Sequence, residues 1–293
     1  MGSDYFTPDI MDKVTQVMED YLKIGGNIVD TAHIYAGGKS EEALGIWMEE
    51  QNRRDDILIF TKGGHPNAEG PRINKQAIQE EVDTSLERLR TDFIDMYALH
   101  RDDTNLPVGH ILEILNEHVE AGKIGVLGAS NWTVERLEEA NAYAEKNGLV
   151  GFSFSSPNLS LAKAQEPYWA DCISVDDDIL KWHEKSNLPI FSWSSQARGF
   201  FTGRFTPEDR SNEDLVRVFY NDDNWERYRR AEQLGQKKGV ETIQISLAYV
   251  LNQSFPTAAI IGPQNKQELV SCGEAAEITL TEEEIKWLDL RIK

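Results

Sequence analysis

Short apolar runs alternate with longer stretches in which apolar residues recur every three or four positions, the rhythm of repeated βα units. The runs Asn27–Asp30, Ile57–Lys62, Ile94–His100, Ile124–Ser130, Gly151–Ser155, Pro189–Trp193 and Thr257–Ile261 predict strands. Between them, Ile78, Val82, Leu86 and Leu89 form one helical stripe, and Val134, Leu137, Asn141 and Ala144 form a weaker one. Gly122 stands where a helix C-cap would release the chain into the strand at Ile124. Thr281 and Glu284 have the spacing of a capping box, and Thr7-Pro8 reads as an N-cap with proline at the first helical position, starting a helix near Asp9. Segments 157–178 and 195–225 are too long for tight turns and read as loops that carry a site.

This alternation, with no low-complexity linker, predicts one α/β domain over residues 1–293, a (β/α)8 TIM barrel, which about 250 residues suffice to build. Seven strands do not close an eight-stranded barrel. Met1-Gly2-Ser3 therefore reads as the stub of a truncated first strand or as a start scar, with poorer stability as the expected consequence.

Composition narrows the function. Apolar residues make up 40% of the chain, enough for a sizeable core, yet no run approaches the roughly 18 residues of a membrane helix, and no signal peptide is visible. Cys172 and Cys272 are the only cysteines and show no metal-ligand spacing, which fits a reducing cytoplasm and neither a disulfide framework nor a metal site. A net charge of −20 argues against sequence-independent nucleic-acid binding. An anionic ligand would need its own local cluster of donors. Oligomeric state is not legible.

Four residues stand at or just beyond the C-terminal ends of successive expected strands, the face on which barrel enzymes build their sites. Asp30, Lys62 and His100 end the strands, and Tyr35 lies in the glycine-rich turn after Asp30. Taken singly, each reads as an ordinary turn or strand-end residue. Together they form a proton-transfer unit. A tyrosine titrates near 10 in water, a neighbouring lysine ammonium favours its phenolate, and an aspartate fixes the lysine. A neutral histidine donor would orient the carbonyl oxygen that receives the proton.

Gly25-Gly26-Asn27-Ile28-Val29-Asp30-Thr31-Ala32, Tyr35, Ser40-Glu41, Leu44-Gly45, Thr61-Lys62, Ser85-Leu86, Arg88-Leu89, Asp95, Tyr97, Leu99-His100 and Gly128-Ala129-Ser130-Asn131 together resemble the aldo-keto reductase signature, over about residues 24–290. The resemblance implies an oxidoreductase that moves a hydride between a nicotinamide cofactor and a carbonyl. It implies Tyr35 as general acid, supported by Asp30, Lys62 and His100. It further implies that Ser130-Asn131 holds the nicotinamide amide and that Trp193 stacks on its ring. An N-cap role for Ser130-Asn131 stays open, because a helix follows.

The segment Ser194, Gln196, Arg198, Gly199, Phe200, Gly203 and Arg204 resembles the family's pyrophosphate-covering loop, and Gly262, Gln264 and Lys266 occupy the stretch after the last strand. The glutamine usual after the sixth strand is missing, so Ser155 or Ser156 would substitute. Glu268 stands near Lys266, where NADPH users offer cations; the resemblance still favours NADP(H) over NAD(H).

For the substrate, Trp132, Tyr168, Trp169 and Phe200 beside Arg101, Asp102 and Asp103 suit a neutral, polar, sugar-like carbonyl compound, and equally a lid packed on the barrel. Two other functions fit parts of the pattern: a Schiff-base lyase using Lys62 as nucleophile, and a non-catalytic nicotinamide-sensing subunit of the same fold.

Overall fold

The computed structural model describes residues 6–293, so the expectation of a strand stub at Met1-Gly2-Ser3 lies outside the described residues. The chain forms two compact units, one ending at Ser155 and one running from Ser156 to Lys293.

In the first unit a 3-10 turn, Pro8–Ile10, precedes α1 (Met11–Lys23). Then follow β1 (Ile28–Asp30), α2 (Lys39–Gln51), β2 (Leu58–Gly63), α3 (Lys75–Leu89), β3 (Ile94–Leu99), α4 (Val108–Glu120), β4 (Ile124–Ser130) and α5 (Val134–Asn147). The chain passes from the first unit to the second within β5 (Phe152–Ser156). The second unit holds α6 (Asp177–Ser186), β6 (Ile190–Ser192), α7 (Glu213–Phe219), α8 (Asp222–Lys238), α9 (Thr242–Leu251), β7 (Thr257–Ala259), α10 (Lys266–Ala276) and α11 (Glu282–Leu288). Every expected strand is present, several of them shorter than their apolar runs.

β1 to β4 pair in parallel in chain order, with Asp30 opposite Phe60, Lys62 opposite Ala98 and Leu99 opposite Ala129. In the second unit β6 and β7 pair in parallel. Parallel strands covered by helices are buried on both faces, so they are written as continuous apolar runs. Ile59, Phe60, Leu99, Leu127 and Ala129 are fully buried accordingly. The core of the second unit centres on Phe200, Phe201, Phe219, Ile245, Ala248 and Leu288.

The capping box at Thr281 and Glu284 forms on α11, and Gly122 takes a left-handed φ of +70° after α4. Thr7 is extended, but its side chain caps no backbone N–H, and the α-helix starts only at Met11. The segment 195–225 is not one loop: it holds a 3-10 segment (Ala197–Thr202), α7 and the start of α8. On α3, Ser85 is buried where Leu86 is only half-buried, because Ser85 faces a polar network described below. Among the described residues no helix is long and apolar enough to cross a membrane.

Candidate active site

In the first unit the strand ends bring Asp30, Tyr35, Lys62 and His100 into one cluster. Lys62 is buried, donates from Nζ to Asp30 Oδ1, and donates a second bond to the Thr31 carbonyl at 2.9 Å. Its ammonium lies 5.2 Å from the centre of the Tyr35 ring. The His100 ring meets the Tyr35 ring edge-on at 5.7 Å. Tyr35 reaches this place from a tight 3-10 turn, Tyr35–Gly38, whose Ala36 and Gly37 are left-handed.

The electrostatics follow from burial. Burial alone would disfavour the Lys62 ammonium, but Asp30 and Tyr35 outweigh it and hold the amine above its ordinary range. Tyr35 departs from the sequence expectation. Lys62 does pull its pKa down, but burial of the hydroxyl is the larger effect and the phenol sits above its usual range. His100 is held well below the imidazole range, first by burial and then by Lys62 and Arg101, so its ring is neutral. Its buried Nδ1 has no partner among the described residues.

A second buried network supports the turn that carries Tyr35. Glu41, fully buried, accepts from Thr61 Oγ1 at 2.6 Å and from Arg88 Nη1 at 3.3 Å. Arg88 also donates to the His33 carbonyl at 2.9 Å, and Ser85 lies 3.5 Å from His33 Nδ1. A Cβ on Gly38 would stand 2.3 Å from the Arg88 guanidinium, and one on Gly45 would stand 2.2 Å from the Arg88 carbonyl oxygen. The signature residues around Ser40-Glu41, Gly45, Ser85 and Arg88 are therefore a positioning frame for the Tyr35 turn.

Ser130 and Asn131 follow β4, and Asn131 adopts a left-handed φ of +61°. Its amide donates to Ser130 Oγ at 3.0 Å and, more weakly, to the His100 carbonyl at 3.4 Å. The pair does not cap the following helix; Thr133 does, accepting from the Arg136 N–H. Ser155 is buried at the end of β5, whereas the Ser156 hydroxyl donates to the Phe191 carbonyl at 2.7 Å.

Two residues expected to meet substrate have structural partners instead. Asp102 accepts from Arg136 Nε at 2.8 Å and Nη2 at 3.0 Å, a bidentate pair that neutralises its charge. Trp132 is buried, edge-on to Phe152 at 5.0 Å, and donates from its indole to the Arg101 carbonyl.

The second unit builds a tight left-handed turn and an aromatic cluster. After β6, Ser194, Ala197, Arg198 and Gly199 all take positive φ. Such a run of left-handed residues costs strain, and the Ala197 and Gly199 N–H groups close the turn by donating to the Ser194 and Gln196 carbonyls at 2.9 and 3.0 Å. Gly203, also left-handed, ends the segment, and a Cβ on Gly262 would meet nothing within 4 Å. Asn158, buried, donates to the Trp193 carbonyl at 2.9 Å and so fixes the residue expected to stack on the nicotinamide. Trp193 faces the half-exposed Trp169 at 5.7 Å, and Trp169 meets Tyr168 at 4.7 Å. The Arg198 guanidinium lies 4.4 Å from the Tyr168 ring centre and 5.3 Å from that of Trp169.

The Phe200 side chain is fully buried among Phe201, Phe219 and Trp225, so only its backbone is left for a ligand. Gln196 accepts from Cys272 Sγ at 3.7 Å, tying this loop to α10; burial pushes that thiol up to about 11. Asn265 caps α10 and Lys266 opens it, while Glu268 accepts from the Gln264 N–H at 2.9 Å and pairs with Arg204 at 3.2 Å.

Residues the sequence did not single out are His65, Glu81, Arg72 and Asn158, all held by contacts between segments distant in the chain or between loop residues. Only the repeated glycines after Lys62 hinted at the first of them.

Five of the six histidines, His33, His65, His100, His118 and His183, are held below the ordinary imidazole range, burial being the leading cause in each. The unfolded chain takes up these protons near pH 6.5, and the folded chain resists them. Stability is therefore complete above that value and falls as the pH drops below it. The urea midpoint is expected to decline from about pH 7 to about pH 5; a flat midpoint over that window would contradict the burial assigned to these rings.

The family model described as "Aldo/keto reductase family" matches residues 4–291. A norsolorinic acid reductase of Aspergillus flavus is 28% identical over 282 residues, covering 93% of this chain and 70% of that protein. The aldo-keto reductase YhdN of Bacillus subtilis is 27% identical, covering 90% of this chain and 79% of that protein. Among solved structures, the thermostable aldo-keto reductase Tm1743 in complex with epalrestat superimposes with a TM-score of 0.76 at 23% identity, covering 98% of this chain and 91% of that one. An aldo-keto reductase from Klebsiella pneumoniae in complex with NADPH gives 0.74 at 23% identity, covering 99% and 89%. These likenesses give the fold, a (β/α)8 barrel.

Proposed function

The chain belongs to the aldo/keto reductase family of carbonyl-reducing oxidoreductases, and from that premise we propose that it reduces a neutral, polar aldehyde or ketone with Tyr35 as the general acid. The observation that carries this reading is the buried Asp30–Lys62 pair lying against Tyr35, with a neutral His100 at the tyrosine's edge. The nicotinamide nucleotide, when bound, supplies the hydride.

The remaining work falls to side chains. Tyr35, held above the ordinary phenol range, stays protonated at neutral pH and is loaded for reduction. Its hydroxyl gives the proton to the carbonyl oxygen. Lys62 remains an ammonium and stabilises the phenolate left behind, and Asp30 keeps the ammonium in place. Neutral His100 orients the oxygen as charge develops on it. A Schiff-base role for Lys62 would need a neutral amine, which this ion pair opposes.

We assign NADP(H) by likeness to the Klebsiella pneumoniae relatives, solved with NADP and NADPH. The fit rests on groups that suit an anion: Arg198, Arg204 and the start of α10. Glu268 accepts from the Gln264 N–H and pairs with Arg204, so the two charges offset each other until a phosphate competes for the arginine. Ser130, Asn131, Ser155, Trp193, Ser194, Gln196, Gly199, Gly203, Gly262, Gln264 and Lys266 complete the assignment, with Trp169 as the exposed aromatic for substrate. Two buried cysteines that form no disulfide fit a cytoplasmic enzyme.

Tryptophan-fluorescence titration with NADPH and NADH, followed by a carbonyl panel, tests the reading. NADPH is expected to quench at a concentration at least about tenfold lower than NADH, a gap of about 1.4 kcal/mol. Binding without turnover on any carbonyl would assign a cofactor-sensing role. No binding by the folded chain would overturn the proposal.

A further inference from the structure

We infer that His65 is a specificity-determining residue that accepts a hydrogen bond from a hydroxyl group next to the substrate carbonyl, so that the preferred substrates are hydroxylated aldehydes and ketones. The inference rests on the carbonyl-reducing reading above and deepens it.

The backbone after Lys62 is built to bring His65 back toward the cluster. A Cβ on Gly63 would stand 2.0 Å from the Tyr97 hydroxyl, and Gly64 is left-handed at φ +70° with Leu99 close by. Only glycine makes that turn without strain or collision. The Gly64 N–H then donates to Glu81 Oε2 at 2.7 Å, and the other oxygen of this buried carboxylate takes Arg72 Nε at 2.5 Å. A charge-assisted pair therefore fixes the start of the loop.

The turn delivers the His65 ring edge-on to His100, centroids 5.0 Å apart, while His100 meets Tyr35 on its own edge. His65 Nδ1 lies 2.8 Å from the Pro66 carbonyl. A carbonyl only accepts, so Nδ1 carries the hydrogen and Nε2 is the bare acceptor. Among the described residues no group donates to that Nε2. The ring is half-buried, and burial, which outweighs the Pro66 carbonyl and is aided by Arg101, holds it below the ordinary imidazole range.

A neutral acceptor beside the reacting cluster selects a donor. Lys62 and Arg101 lie near enough to disfavour an ammonium there, both acting on the adjacent His100. A carboxylate offers Nε2 no hydrogen. A hydroxyl satisfies both conditions, and the 5.0 Å spacing between the His65 and His100 rings keeps the acceptor beside the cluster.

The test compares glyceraldehyde, propanal and 4-nitrobenzaldehyde on the full chain with NADPH, before and after His65→Phe, which keeps a flat ring against His100. Wild type is expected to favour glyceraldehyde over propanal by about tenfold in kcat/KM, the worth of one hydrogen bond. His65→Phe should erase that preference through a higher KM for glyceraldehyde, with propanal and 4-nitrobenzaldehyde within about twofold of wild type. An unchanged ratio, or an equal fall on all three aldehydes, overturns the inference. Wild type inactive on all three would defeat the carbonyl-reducing reading itself. The His65 Nε2 nitrogen-15 shift then decides the inference alone: an upfield move with glyceraldehyde and not with propanal supports it, and no move overturns it.

Discussion

Tyr35→Phe is expected to lower kcat/KM for carbonyl reduction by about 10²–10⁴-fold, the usual contribution of a positioned general acid. The loss should fall on kcat, because the hydroxyl acts in the transition state while the ring contacts with Lys62 and His100 survive the change. NADPH binding should stay within about twofold of wild type on the same ground. The pH profile adds a second readout. Burial raises the Tyr35 pKa, so the acid stays loaded through neutral pH and is lost only at alkaline pH. Wild-type reduction should be flat near neutrality with an alkaline fall that the variant lacks. A variant within a few-fold of wild type would remove Tyr35 from the chemistry.

Lys62→Met is expected to cost both activity and about 3–5 kcal/mol of folding stability. Methionine fills much of the same volume, so the cost is not chiefly a cavity. It arises because the Asp30 carboxylate, 8% exposed, would lose the ammonium that makes its burial tolerable. Replacing both partners, in Asp30→Asn with Lys62→Met, should recover most of the stability and none of the activity. Urea unfolding of wild type, the single and the double variant measures this directly. Since Lys62 is held above its ordinary range, its stabilising contribution is complete below about pH 10 and is lost only as the pH rises further. A single variant as stable as wild type at neutral pH would mean that the pair is solvated.

The clustering of Asp30, Tyr35, Lys62 and His100 was legible because strand ends constrain it. Asp30, Lys62 and His100 each terminate an apolar run, and parallel strands in one βα array end on one rim. Their types also differ enough in chemistry for the set to have one evident use. The direction of the Tyr35 shift was not legible. Lys62 and burial oppose one another there, and only packing decides which is larger.

Trp132, Asp102 and Phe200 show the opposite case. Each is an aromatic or a charge in a loop, and composition marks it for a ligand. Arg136 lies 34 residues beyond Asp102 and neutralises it, while Phe200 is enclosed by α7 and α8 residues that follow it in the chain. His65 was missed for the same reason. Its role depends on Glu81, 17 residues beyond Gly64, and on the ring of His100.

By itself, then, the sequence determined the βα order, the strand positions and the rim on which Asp30, Tyr35, Lys62 and His100 gather. These follow from local periodicity and from chain order, which need no knowledge of distant partners. Tertiary structure alone decided which charges are neutralised, which aromatics are core, how far burial moves each proton, and which tautomer His65 presents. Those quantities depend on the dielectric and on donors brought together from remote parts of the chain, and no window along the sequence contains both partners.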